Sequence, residues 1–155
     1  MFSKVLYPTD FSQESHNAID CIFQLKPSGL REVVVLHVND LRSAGNTQTF
    51  VTSSAVLEAR SRTRKENELA MQKIAGDLQA HGIATKIVTR TGIPIEEILA
   101  IANEENVTAI VMGSHIWTRF HRLFSPSVSE SVVHKSKRPV IVVKREDRCE
   151  LNPGA

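Results

Sequence analysis

The sequence predicts an α/β protein built on an open parallel sheet with helices on both faces. Short apolar runs of strand length alternate with longer stretches that carry apolar residues at helical spacing. The order is strand then helix four times, followed by a fifth strand. The run VVVL at residues 33–36 is continuously apolar, which is typical of a strand buried on both faces of a parallel sheet.

The first half of the chain supplies two strands and two helices. Residues 2–7 form an apolar run that Pro8 ends, and residues 33–36 form the second strand. Between them, apolar residues at helical spacing predict a helix that Pro27 and Gly29 end. Residues 41–54 are polar without a period, so we expect a long loop before a charged helix at 56–80. That helix ends near Gly82. Its apolar stripe consists of Met71, Ile74, Ala75 and Leu78.

The second half continues the same alternation. Residues 85–89 and 107–112 are predicted as the third and fourth strands. Pro94 suits the first position of the helix between them. A last helix is expected at 127–135, and the fifth strand runs from Pro139 to Lys144. We predict one domain at residues 1–146 and a polar tail at 147–155.

Composition and charge exclude several classes of protein. The 155 residues are 41% hydrophobic and 23% charged, as in an ordinary globular protein. A formal net charge of +2 is too small for a nucleic-acid-binding domain, and no apolar run has the roughly 20 residues of a membrane span. The N-terminus lacks a signal-peptide layout, and Cys21 and Cys149 have no paired spacing. These features predict a cytoplasmic protein with reduced thiols and no partner among nucleic acids or membranes.

Common catalytic motifs are missing. The sequence has no Walker-type phosphate loop, no G-x-G-x-x-G turn after the first strand and no G-x-S-x-G nucleophile elbow. The third strand ends in Thr89 and Arg90 rather than an acidic cluster, which excludes a receiver domain. The six histidines have no paired ligand spacing, so no metal site is predicted. We therefore expect a binding module rather than an enzyme, with no catalytic residue assigned.

Ligands of open parallel sheets bind beyond the carboxyl ends of the strands. Asp10 follows the first strand, where a carboxylate can accept hydrogen bonds from an exocyclic amine or a sugar hydroxyl, or can simply cap a helix. Gly113 follows the fourth strand and either admits a ligand to the backbone or makes a tight turn. Ser127 and Glu130 fit a capping box, and the helix N-terminus behind it could also attract an anion.

The segment between residues 116 and 126 mixes basic and aromatic side chains. Base stacking on such rings would indicate single-stranded nucleic acid. A single short segment in a nearly neutral protein is weak support for nucleic-acid binding. We instead expect Phe120, Leu123 and Phe124 to be buried and the arginines to be solvated.

Five segments, in order and spread over nearly the whole chain, resemble the universal stress protein family. They are YPTDFSQESHNAID (7–20), VVVLHV (33–38), IVMGSH (110–115), SVSESVV (127–133) and RPVIVV (138–143). The resemblance implies a five-stranded parallel sheet in the order 3-2-1-4-5, of the adenine nucleotide alpha hydrolase-like kind. It also implies a homodimer that pairs through the fifth strand, and an apolar edge strand is best covered by such a partner.

Family members that bind ATP share a G-x-x-G-x9-G-[ST] loop after strand four. Gly113 and Ser127 match its ends, but Ile116 and Pro126 stand where the second and third glycines belong. Proline has no N–H to donate, and each lost anion contact costs roughly 1.5–3 kcal/mol. The resemblance therefore implies a complete adenine half and an incomplete phosphate half. The resemblance and the positions at the carboxyl ends of the strands together predict these ligand-binding residues: Pro8, Thr9, Asp10, Val38, Met112, Gly113, Ser114, His115, Ser127, Val128 and Ser129.

The sequence as a whole predicts a dimeric universal stress protein that acts as a binding or regulatory module in the stress response. It requires no cofactor, and its binding of ATP is expected to be weak or absent. The alternative is an ATP or AMP switch, or a slow ATP hydrolase, that uses the same site.

Overall fold

The computed structural model describes residues 1–44, 54–114 and 127–144. The strands are β1 (Lys4–Pro8), β2 (Glu32–Asp40), β3 (Ala84–Gly92), β4 (Ala109–Gly113) and β5 (Val140–Val143). The helices are α1 (Gln13–Leu25), α2 (Ser54–Ala80), α3 (Pro94–Glu104) and α4 (Val128–Lys135), with 3₁₀ turns at Lys26–Ser28 and Leu41–Ala44. The strands form one parallel sheet in the order β3-β2-β1-β4-β5, which confirms the predicted fold class and strand order.

Helices on each face of the sheet bury a separate apolar core. On one face, α1 and α2 pack against alternate residues of the central strands, among them Tyr7 and Val35. On the other, α3 and α4 pack against the residues between, such as Leu6 and Leu36. Each central strand thus contributes to both cores, which is why its sequence is continuously apolar.

The second and third strands are longer than the sequence indicated. Both have nine residues, and they pair in register from Glu32 with Ala84 to Asp40 with Gly92. The polar ends of these strands carry no local strand signal, because pairing with the neighbouring strand supplies the order. The carboxyl end of β2 carries His37 and Asn39, which line a groove at this edge of the sheet.

Local signals place most helix ends correctly. Gly29, with a φ of 99°, follows the turn that ends the first helical segment, and Pro94 occupies the start of α3. At α4, Ser127 and Glu130 form the predicted capping box. The first helix begins later than Asp10, because Ser12 is its N-cap and accepts a hydrogen bond from the Ser15 N–H.

Two expectations fall partly outside the described residues. The predicted loop at 41–54 begins with the 3₁₀ turn Leu41–Ala44, and residues 45–53 are not described. The tail at 147–155 is also not described.

Cys21 is disulfide-bonded, so the expectation of reduced thiols is wrong. Within the described ranges, none of the helices has the length and hydropathy needed to cross a bilayer.

Candidate functional site

A groove of ≈ 1240 Å³ opens where the carboxyl ends of β1 and β2 meet the first half of α2. Its volume exceeds the roughly 300–1,000 Å³ usual for small-molecule sites. The residues of its wall that matter for ligand chemistry are Asp10, Phe11, His37, Val38, Arg60 and Asn67. Two of the predicted ligand-binding residues, Asp10 and Val38, therefore open onto one groove.

The loop from β1 to α1 is fixed by a chain of buried hydrogen bonds. The Tyr7 hydroxyl donates to the Ser15 carbonyl oxygen at 2.7 Å, and the Ser15 hydroxyl donates to Thr9 Oγ1 at 2.6 Å. Thr9 Oγ1 also accepts from the Phe11 N–H at 3.0 Å. Burial raises the pKa of Tyr7 to about 12. Thr9 thus uses its hydroxyl to hold the loop, which gives Asp10 a fixed position.

Asp10 makes a local turn rather than a helix cap. Its Oδ1 accepts the Ser12 N–H at 3.0 Å, two residues further on. The capping role that Asp10 could have served belongs to Ser12. The carboxylate is half-buried on the wall of the groove.

Phe11 is held in a backbone conformation that a large side chain rarely adopts. Its φ is 64°, in the left-handed region, at a cost on the order of 1–3 kcal/mol. The ring lies against His37, with ring centroids 4.6 Å apart and planes inclined by 32°. Backbone strain of this kind persists where the surroundings over-determine it, often at a binding site. Here it places an aromatic ring on the groove wall.

His37 is buried, and its partners fix which ring nitrogen carries the proton. Nδ1 lies 2.8 Å from the Thr9 carbonyl oxygen, which can only accept, so Nδ1 is the donor. Nε2 then accepts from the Asn67 amide of α2 at 3.3 Å. Burial lowers the pKa of His37, and the Thr9 carbonyl and the charge of Asp10 oppose that shift in part. The neutral ring therefore links the β1–α1 loop, β2 and α2 beside the groove.

The predicted phosphate-binding residues form a second group at the start of α4. Ser127 Oγ accepts the Glu130 N–H at 3.2 Å, and Glu130 Oε2 accepts the Ser127 N–H at 3.2 Å. Ser127 Oγ lies 3.0 Å from Ser129 Oγ, and the Ser129 hydroxyl donates to the Ser114 carbonyl oxygen. A carboxylate of the chain thus lies where a helix N-terminus would otherwise attract a phosphate.

Gly113 is needed for packing, whatever its part in ligand binding. A Cβ there would lie 2.6 Å from both the carbonyl carbon and the oxygen of Glu14, and 2.8 Å from the Ser15 nitrogen. Backbone atoms cannot move aside cheaply as the end of a side chain could. The tight approach of α1 to β4 therefore requires glycine.

The other predicted residues have several different surroundings. Met112 and Val128 are buried in the core under α3 and α4, and Pro8 is buried at the end of β1. Ser114 is buried, and its N–H donates to the Val143 carbonyl oxygen at 2.9 Å. His115, with the predicted loop at 116–126, lies outside the described residues.

Most residues that line the groove were not predicted from the sequence, among them Phe11, His37, Arg60 and Asn67. Nothing local marks Phe11, because aromatic residues seldom have positive φ. The residues of α2 did carry a signal. Continuing the apolar stripe of that helix toward its N-terminus, in steps of three or four, leads from Met71 to Asn67 and then to Arg64 and Arg60.

Comparison with known proteins assigns the chain to a family. The sequence model of the Universal stress protein family matches residues 1–144. The universal stress protein MJ0577 of Methanocaldococcus jannaschii is 35% identical over 95% of this chain and 98% of its own length. The chain belongs to the universal stress protein family, as the resemblance implied.

Solved structures agree with the assignment. A structure of MJ0577 superimposes with a TM-score of 0.77 at 37% identity, covering 95% of this chain and 99% of that one. A universal stress protein family member of Arabidopsis thaliana, solved with AMP bound, has a TM-score of 0.67. It is 17% identical and covers 92% of each chain, which shows a shared fold.

Proposed function

We propose that this universal stress protein is a regulatory binding module that takes an adenine nucleotide weakly in the groove beside Asp10 and Val38. The observation that carries the proposal is that both residues, assigned to adenine by family resemblance, open onto the same groove. A carboxylate can accept a hydrogen bond from the exocyclic amine of adenine, and an aliphatic side chain can pack on its ring. The rigid β1–α1 loop would present these groups at little ordering cost.

Weak binding of ATP follows from the phosphate half of the site. Pro126 has no N–H to offer, and Ile116 adds a branched side chain where the family loop has glycine. The Glu130 carboxylate is bound at the N-terminus of α4, where it would repel a triphosphate. AMP carries fewer negative charges, so this repulsion would reduce its binding affinity less than that of ATP. The AMP-bound relative from Arabidopsis thaliana supports this class of ligand.

Titration calorimetry with adenosine, AMP and ATP tests the proposal. We expect adenosine and AMP to bind, and ATP to bind no tighter than AMP, with a dissociation constant weaker than micromolar. Asp10→Asn keeps an oxygen to accept the Ser12 N–H but places an amide against the base. It should weaken adenosine about tenfold, as expected for a hydrogen bond to a charged group. Absence of adenosine binding would overturn the proposal, and micromolar or tighter ATP binding would overturn the weak-ATP part.

Slow ATP hydrolysis is the less favoured use of the site. Within the described residues, His37 is the histidine that lines the groove, and both of its ring nitrogens are engaged by Thr9 and Asn67. It therefore lacks a nitrogen with which to activate water. Turnover that is lost in Asp10→Asn would favour the hydrolase instead.

A homodimer through the fifth strand is part of the same proposal. β5 is the last strand of the sheet, pairs with β4, and has partly exposed apolar side chains at Val140, Ile141 and Val142. Such an edge is best covered by a second copy. The Pro139 and Val143 carbonyls accept hydrogen bonds from β4, so by alternation Val142 directs its N–H outward. Val142→Pro should halve the mass in sedimentation equilibrium with an unchanged circular dichroism spectrum, and an unaltered mass would contradict this interface.

The single domain at 1–146 and the cytoplasmic location also belong to this proposal. Immunoblotting of separated cell fractions tests the location directly.

A further inference from the structure

The inward face of α2 changes character along the helix. Near its C-terminal end this face carries Met71, Ile74 and Leu78, which are buried against the sheet. The same face continues toward the N-terminus as Asn67, Thr63 and Arg60, which line the groove. The polar part of this stripe therefore faces the groove rather than only bulk solvent.

Two arginines lie on this part of the helix. Arg60 and Arg64 are four residues apart, so their side chains are neighbours on one helical face, and both line the groove. Like charges at this spacing destabilise a helix slightly. In the part of the chain that the structure describes, neither guanidinium lies within ion-pair distance of a carboxylate.

The remaining charges of the groove do not cancel this positive wall. Asp40 lines the groove, but it already accepts a hydrogen bond from the Arg42 guanidinium at 2.6 Å. Asp10 lines the groove from a different element, the β1–α1 loop. The groove is thus lined by an acidic group on the β1–α1 loop and by basic groups on α2, an arrangement that suits a ligand with both an amine and an anion.

We propose that Arg60 and Arg64 of α2 form the anion-binding wall of the groove, and that it takes the phosphate of a nucleoside monophosphate or a comparable small phosphate compound. The identity of the base rests on the proposed function, whereas the phosphate contact does not. Guanidinium groups donate paired hydrogen bonds that match phosphate oxygens. The phosphate would then lie on α2 rather than at the α4 N-terminus, whose first turn the Glu130 carboxylate caps.

The test compares adenosine with AMP in three proteins by titration calorimetry. The proteins are the wild type, the double variant Arg60→Gln/Arg64→Gln, and a control, Arg62→Gln/Lys65→Gln. The control removes the same charge from the same helix at positions that do not line the groove. We expect the groove variant to lose about tenfold in AMP affinity and little in adenosine affinity, while the control binds both as the wild type does.

Calorimetric titration with pyrophosphate tests this inference independently of the proposed function. If adenosine fails to bind, the proposed function is overturned. Pyrophosphate binding that weakens in the groove variant and not in the control would still support the basic wall. If AMP and pyrophosphate bind equally to the groove variant and the control, or if neither compound binds the wild type, the inference is wrong. Circular dichroism of both variants checks that α2 is retained.

Discussion

Family resemblance predicts that Gly113 contacts a ligand, but the residue is also required for the packing of α1 against β4. The atoms nearest to a Cβ at this position belong to the backbone of α1. A larger residue would separate α1 from β4 before it obstructed a nucleotide. Loss of binding in a Gly113→Val variant would therefore report misfolding as readily as a missing ligand contact.

Gly113→Ala should lower the free energy of unfolding by about 1–3 kcal/mol, because the added methyl group clashes with Glu14 and Ser15. Urea denaturation measures the change. Gly76→Ala, inside α2 with nothing within 4 Å of the added methyl group, is the matched control. It should raise stability by roughly 0.5–1 kcal/mol. Equal stability of the two variants would contradict the packing role.

His37 makes the stability of the fold depend on pH in a definite direction. Burial lowers its folded-state pKa, whereas a histidine in the unfolded chain titrates near 6.5. As the pH falls through about 6.5, the unfolded chain takes up a proton that the folded chain resists, so the free energy of unfolding decreases. This loss continues down to the folded-state pKa.

Replacing His37 with glutamine removes the titration and keeps a polar side chain. Urea denaturation at about pH 7, 6 and 5 should show a shallower decline of stability for His37→Gln than for the wild type. Parallel declines in the two proteins would mean that His37 does not carry this pH dependence. Asp10 opposes the pKa shift, so Asp10→Asn should make the decline steeper.

At the scale of elements, the start of α4 balances helix capping against ligand binding. The Glu130 carboxylate satisfies the Ser127 N–H and places a negative charge at the positive end of the helix dipole. Both effects stabilise the helix. The same charge disfavours a phosphate in that place.

Glu130→Gln should therefore strengthen ATP binding by about two- to fivefold, the equivalent of a single helix-dipole charge, if ATP approaches α4. Glutamine also serves in a capping box, so the helix should persist. Calorimetric titration with ATP measures the gain, and adenosine, which has no phosphate, should bind both proteins equally. An unchanged ATP affinity would place the triphosphate away from α4.

The elements differ in how far the sequence alone could predict them. The capping box of α4 depends on Ser127 and Glu130, three residues apart, and such local signals were read correctly. The full length of β3 depends on pairing with β2 along nine residues, which no local pattern contains. The conformation of Phe11 runs against the preference of its own side chain, because the surrounding loop imposes it. Site residues whose positions depend on strand pairing or on the surrounding loop could therefore not be predicted from the local sequence.

At the scale of the whole molecule, an ion-pair network joins elements at the amino ends of the strands. Glu105, after α3, accepts hydrogen bonds from Lys4 of β1 at 3.1 Å and Lys86 of β3 at 2.6 Å. Lys4 also lies 3.2 Å from Glu32 of β2. Two hydrogen bonds hold the pKa of Glu105 below its usual value. The one from Lys86 has the larger effect and the one from Lys4 the smaller.

Glu105→Gln should lower the free energy of unfolding by about 1 kcal/mol near neutral pH, as for a favourable network of ion pairs. The neighbouring change Glu104→Gln, which breaks only the exposed pair with Arg90, should cost less than about 0.5 kcal/mol. Because the folded-state pKa of Glu105 is lowered, its contribution is present above the unfolded pKa and disappears as the pH falls further. Denaturation near pH 7 and near pH 3 measures this, and an equal cost for the two variants would contradict the network.

The placement of this network has an evolutionary consequence. Its charged groups lie at the amino ends of the strands, whereas the groove lies at their carboxyl ends. Heritable changes in Arg60 or Arg64 therefore touch neither the network nor the two cores. Lineages that carry this chain could exchange one small ligand for another by substitutions that leave folding nearly unaffected, so ligand preference can drift faster than the fold.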